Sequence, residues 1–376
     1  MKTLLCVIAA IAFLALPVLA EDAKMTFDGS RLAAGYMDSG TAGNTAPGTF
    51  GVPDAKVRFN VAFDADTSAV LRLNFDNAAA NGADYAYVKV ANVIKKLAKN
   101  DMVNPDIYVG LMKINFGEET WSNNPVENAL VNNSIGGVSG VDAGIEFRQK
   151  ELPINLPVVL GYSLSFMNGD YNAAATAGST DNTNVKAYDL KVMATMKSMP
   201  LYFSLSQYDS GKLGLTSTAA MNNTPCTAGG LWYLKGYELD ARFDMLEGAQ
   251  KFDPSKAPLF ADAKGVFRLA YGSFTQGDTS ATAARATIGT MMLDAIYNVD
   301  KQWYVAFRYS TQDVDVDGLA AAVDFGNTTR MSIGGGCRLT DKSILKLDYT
   351  TNTEEDSAVN PKLDNDSVSL LMTVLW

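Results

Sequence analysis
Over most of its length the chain alternates apolar and polar residues with a period of two. KVRFNVAFD puts Val57, Phe59, Val61 and Phe63 on one side, opposite Lys56, Arg58, Asn60, Ala62 and Asp64. YELDARFDM sets Tyr237, Leu239, Ala241 and Phe243 against Glu238, Asp240, Arg242 and Asp244. WYVAFRYS and ILKLDYT repeat the pattern, and the last residues place Val368, Leu370, Met372, Val374 and Trp376 on one parity. Successive side chains of a strand point to opposite faces, so each segment has one bulky apolar face and one face that carries full charges. The alternation alone fits a soluble sandwich as well as a membrane wall.

The spacing of the segments decides between them. Strands are predicted near 24–38, 55–65, 68–76, 84–93, 105–116, 137–149, 157–168, 185–197, 201–209, 231–245, 264–275, 286–298, 303–312, 328–339, 344–352 and 366–376. That is about 16 strands, an even number, most of a length that crosses a bilayer when tilted. The links at 39–54, 117–136, 169–184, 210–230, 313–327 and 353–365 are long, while those at 198–200, 299–302 and around Asp341 are short. The links 94–104 and 246–263 break this rhythm. Long and short links alternating around an even strand count predict an all-β fold. It is a transmembrane antiparallel β-barrel with long extracellular loops and short periplasmic turns. Closure pairs every backbone group in a solvent that offers no hydrogen bonds, and pairs the last strand with the first. Trp376 is then expected at the periplasmic interface, where amphipathic aromatics are favoured.

Composition narrows the function. The 376 residues carry 41 acidic and 31 basic side chains, a net charge of −10, which argues against a nucleic-acid partner. There is no histidine, which removes the usual general base and most zinc sites and argues against an enzyme. MKTLLCVIAAIAFLALPVLA has a basic start, an apolar run and a small-residue end, so residues 1–20 are expected to be a cleaved signal peptide and 21–376 a single barrel domain. Cys226 and Cys337 fall in an outer loop and near the periplasmic end, too far apart for a disulfide. The run GGGC at 334–337 lacks the following Lys-Ser/Thr and helix of a phosphate loop and is expected to serve close approach within a strand.

The stretch DIYVGLMKINFGEETW, with Gly110, Lys113, Phe116, Gly117 and Glu118, followed by NALV, VDAGIEF and FMNGD, resembles the phosphate-selective porin family and its relatives. KSILKLDY at 342–349 resembles the penultimate strand of many porins. The resemblance implies an outer-membrane porin for small hydrophilic solutes and ions, a homotrimer by family habit, with no cofactor. It also implies that the link at about 117–136 folds into the lumen as a constriction loop bearing Glu118, Glu119 and Glu127. An aromatic terminal residue such as Trp376 resembles the signal read by the barrel-assembly machinery. No arginine ladder suited to phosphate is present.

The inward parity predicts pore-lining basic residues Lys56, Arg58, Arg72, Lys113, Arg148, Arg242, Arg268, Arg308 and Arg330. Opposite an acidic loop they are expected to create a transverse field. Asp313, Asp315, Asp317 and Asp324 occupy positions 1, 3, 5 and 12 of a calcium-loop spacing with Gly318 at position 6, which raises a structural calcium ion as an expectation. Position 12 is Asp in place of the bidentate Glu, and the flanks read as strands, so an acidic solvated loop is the competing reading. Two alternatives to a porin share the same barrel: an adhesin or receptor, and a sheath for an electron-transfer partner. The latter would bring its own haem, since the chain has no CxxCH motif.

Overall fold
The computed structural model describes residues 23–37, 49–75, 82–98, 102–118, 124–134, 140–169, 186–211, 213–214, 231–248, 250–278, 285–317, 327–355 and 366–376. The segment 1–20 lies outside them. Among the described residues, eighteen strands form one antiparallel sheet. They are β1 Lys24–Thr26, β2 Arg31–Met37, β3 Thr49–Ala62, β4 Thr67–Asn74, β5 Gly82–Val90, β6 Asp106–Lys113, β7 Val141–Gln149, β8 Val158–Met167 and β9 Ala187–Met196. They continue with β10 Leu201–Asp209, β11 Leu213–Gly214, β12 Leu231–Met245, β13 Gly265–Asp278, β14 Arg285–Asn298, β15 Trp303–Asp317, β16 Thr328–Thr340, β17 Ser343–Glu354 and β18 Ser367–Leu375.

β1 and β11 are short pieces lying on β3 and β12. The other sixteen form a closed transmembrane barrel. β18 pairs with β2 from Ser369↔Met37 to Leu375↔Arg31, and this seam removes the free edges. Trp376 completes it: its N–H donates to the Ser30 carbonyl, and its own carbonyl accepts from the N–H groups of Gly29 and Ser30.

The wall is inside-out relative to a soluble protein. Leu239, Leu293, Val305, Ile333 and Leu347 stand exposed on the outer face, about half their surface open. Their sequence neighbours Asp240, Asp294, Tyr304, Ser332 and Lys346 are buried inside. Every inward carboxylate read from the pattern on this wall (Asp142, Glu146, Asp189, Glu238, Asp240, Asp244, Asp294 and Asp348) is buried. Phe243, Phe267, Tyr297, Trp303 and Trp376 lie exposed at the turn end, an aromatic girdle suited to a membrane interface.

Strand boundaries differ from expectation at several places, three of which matter for the site. The predicted strand 24–38 is broken by the turn at 27–30, where Ser30 Oγ bonds the Phe27 carbonyl and receives the Arg58 N–H. β3 begins at Thr49, earlier than expected. β15 runs on to Asp317, so Asp313, Asp315 and Asp317 are strand residues opposite Gly289, Thr287 and Arg285. Asp313 and Asp315 point outward into solvent, while Val314 packs inward. A calcium loop needs its carboxylates to converge, and β15 instead holds Asp313 and Asp315 two positions apart on an extended strand; Asp324 lies outside the described residues.

Candidate functional site
β6 delivers the chain into the barrel. Ile114 and Phe116 are fully buried against Tyr208, Leu234, Phe274 and Ile288, inward residues of the opposite wall. Phe116 meets Phe274 at 5.6 Å and Tyr208 at 6.4 Å between ring centroids. Gly117 then turns with φ +62°, a left-handed conformation that favours glycine, close against the Glu238 carboxylate. Its N–H donates to Ser206 Oγ at 3.0 Å, and its carbonyl accepts from Lys191 Nζ at 2.8 Å. Glu118 accepts from Lys191 Nζ and from the Tyr202 hydroxyl, each at 2.6 Å. Glu119 lies outside the described residues.

Residues 124–134 lie against another part of the wall. Asn124 caps a single turn, its side-chain oxygen accepting from the N–H groups of Val126 and Glu127. Lys346 Nζ donates to the carbonyls of Pro125, Val126 and Asn128 at 2.8, 2.9 and 2.5 Å. Asp348 accepts the N–H groups of Val131 and Asn132 at 2.8 and 3.1 Å. Arg308 donates to the Asn132 carbonyl and Asn128 Oδ1, Arg330 to the Asn133 carbonyl, and Tyr304 to the Ala129 carbonyl. Tyr304 can lie flat there because residue 336 is glycine: a Cβ would stand 2.6 Å from its ring and hydroxyl. The run GGGC thus serves close packing inside β16. A loop that leaves bulk solvent must find partners for its backbone groups, and these wall side chains supply them.

The basic residues read from the inward parity are placed on the wall, and their partners are specific. Lys56 lies 3.6 Å from Asp54 and 3.5 Å from Asp84. Arg72 pairs with Asp84 and stacks 3.7 Å over Tyr85. Arg148 pairs with Glu146, Arg242 with Asp244 and Arg268 with Asp294. Arg58 sits against Gly29, and Lys113 ends β6 within electrostatic reach of Arg31, Arg72 and Glu127. Arg308 and Arg330 hold loop backbone, not loop carboxylates. Across the lumen, Glu118 pairs with Lys191, and Glu127 lies 3.8 Å from Arg31. Parity puts Tyr304 inward with Arg308 without naming its partner, and it missed Asp54, Asp84 and Tyr202. Asp84 falls at a β-bulge, which turns its carboxylate toward Arg72.

Between loop and wall remains a cavity of about 370 Å³. Glu118 and Glu127 border it on the loop side, Arg148, Lys191, Met193, Thr195, Arg242 and Arg268 on the wall side, and Pro254–Pro258 on a third side. At the turn end, outside the spanning strands, Asp262 bonds Lys256 at 2.5 Å and raises its pKa. A second turn-end pair joins Lys96 of the short helix Val93–Ala98 to Asp66 at 2.5 Å. The Lys96 bond lowers the Asp66 carboxyl, and the same bond raises the Lys96 ammonium.

Solved structures share this fold. The outer membrane channel DcaP of Acinetobacter baumannii superposes with a TM-score of 0.64 at 12% identity, covering 94% of this chain and 97% of its own. The anion-selective porin from Comamonas acidovorans gives 0.60 at 11%, covering 94% and 100%. OmpT of Vibrio cholerae, an outer membrane protein in its trimer form, gives 0.58 at 7%, covering 94% and 99%. No protein-family model matches the chain, and no curated protein matches it. The fold is that of the porin barrels. The narrower resemblance to phosphate-selective porins finds no support in these neighbours.

Proposed function
We propose that the chain is an outer-membrane porin, a water-filled channel for passive diffusion of small hydrophilic solutes and ions. The observation that carries the reading is that residues 114–118 and 124–134 lie inside the barrel. Buried wall side chains bond their backbone, and a charged cavity is left beside them. A segment held across a lumen narrows it, and ionised groups on both sides favour polar solutes over apolar ones. It acts here as the constriction loop. The chain needs no cofactor and performs no covalent chemistry, in keeping with its lack of histidine. The apolar outer face suits lipid, and a homotrimer of cyclic symmetry is the assembly proposed. Delivery through the inner membrane by a cleaved signal peptide and insertion by the barrel-assembly machinery complete the reading.

Planar-bilayer recording tests it. Purified protein should give stepwise openings with an ohmic conductance. A folded barrel that gives none would refute the porin and turn attention to the adhesin and electron-transfer alternatives.

A further inference from the structure
The turn-end link between β12 and β13 is far longer than its neighbours. The turns at 63–66, 197–200, 299–302 and 341–342 suffice to reverse the chain, whereas 246–264 does more than reverse it. Its backbone is drawn into the barrel by side chains on inward positions. Arg242 donates to the Lys256 carbonyl at 2.7 Å and to Pro254 at 3.4 Å. Arg338 donates to the Leu259 carbonyl at 3.1 Å, and Asn298 to Ala263 at 2.7 Å. Leu259 is fully buried, packed with Leu130 of the constriction loop and with the wall residues Ile296, Tyr304 and Ile344. Two links that enter from opposite ends of the barrel thus meet in one apolar cluster. Water has no place in such packing, so that side of the lumen is filled. Pro254 and Pro258 fix the backbone on either side of Lys256, whose side chain remains open at the edge of the cavity.

We propose that 246–264 is a second constriction, an inner sill that confines solutes to the passage beside Lys256 and sets its size and charge limit. The sill rests on the porin reading and deepens it: the constriction loop narrows the path from one end, and the sill narrows it from the other. Lys256 is its specificity-determining residue, because it lines the space that the sill leaves open, its ammonium held at the edge by Asp262.

Two variants in planar bilayers test this. Leu259→Asp places a charge in the apolar cluster and should release the sill, raising single-channel conductance. Lys256→Glu should shift the reversal potential across a salt gradient toward cation selectivity. If both variants fold, shown by heat-modifiable gel mobility, and keep wild-type conductance and reversal potential, the sill is refuted. If Leu259→Asp does not fold, Lys256→Glu decides alone, since its side chain is 43% exposed and its replacement leaves the cluster intact. A wild type without openings removes the porin reading and the sill with it; a conducting wild type with unchanged variants removes the sill alone.

Discussion

Replacing Lys346 by Met removes the cation that holds the tip of the constriction loop. Lys346 is 1% exposed, and its ammonium donates to three carbonyls at 2.8, 2.9 and 2.5 Å. A hydrogen bond to a charged group contributes about 1.5–3 kcal/mol net, so three bonds at the lower end of that range contribute roughly 5 kcal/mol. Water from the lumen can re-solvate part of the freed carbonyls, which brings the loss to about 3 kcal/mol. That corresponds to a shift of roughly a hundred-fold in the balance of docked and released loop. Asp348, Arg308 and Tyr304 remain, so the loop stays docked for most of the time but escapes more often. Single-channel recording should show added open-channel noise and brief steps to higher conductance. A folded Lys346→Met barrel with a wild-type trace would refute the reasoning, because the loop would then owe its position to something other than this cation.

Further outcomes follow from the same structure. Leu347→Arg puts a charge on the outer face where β17 pairs with Leu370 and Gly335, and should destabilise the barrel by about 2–4 kcal/mol in urea unfolding from vesicles. Deleting Trp376 removes its backbone bonds to Gly29 and Ser30 at the seam and should slow the appearance of heat-modifiable barrel during refolding. The Lys96–Asp66 staple has two pH limits. Asp66, depressed when folded, contributes above its unfolded value and loses this as pH falls through its folded value, below the ordinary carboxylate range. Lys96, raised when folded, contributes below its unfolded value and loses this as pH rises through its folded value, above the ordinary lysine range. Local opening around 93–98, followed by pulse labelling at each pH, should increase at both limits; Lys96→Ala should erase the alkaline limit and weaken the acid one, where Asn92 still bonds Asp66.

The wall was legible because its two faces meet two solvents. Leu239 and Asp240, or Leu347 and Lys346, differ in kind at every step, and one residue of slippage would put charge into lipid. The same rule misled at β15. DVDVD reads as an acidic loop, yet its period of two continues the strand with the sense reversed. Above the membrane Asp313 and Asp315 face water, and Val314 packs toward the Phe116 cluster. The loop 117–136 was visible from its length and its asparagines. Its anchors were not, since Lys346 and Asp348 lie more than 200 positions along the chain, as in the bond from Val131 to Asp348. Parity says that Lys346 points inward and nothing of what it finds there. The link 246–263 broke the rhythm of the turns, but its burial depends on Arg242, Arg338 and Leu130 coming together in space. Cys337 is free and buried on β16; Cys226 lies outside the described residues, so the expected absence of a disulfide rests on sequence alone.

The central claim is that one wall separates oil from a water path, and β9 offers the most direct measurement. Met193 and Thr195 border the cavity, while Val192 and Ala194 share the outer parity with their partners Leu205 and Phe203. Single cysteines at these four positions, in a cysteine-free background, would be exposed to a charged thiol reagent during bilayer recording. Modification at 193 and 195 should reduce the current, and 192 and 194 should remain silent. Equal reaction at all four, or block from 192 and 194, would contradict the account.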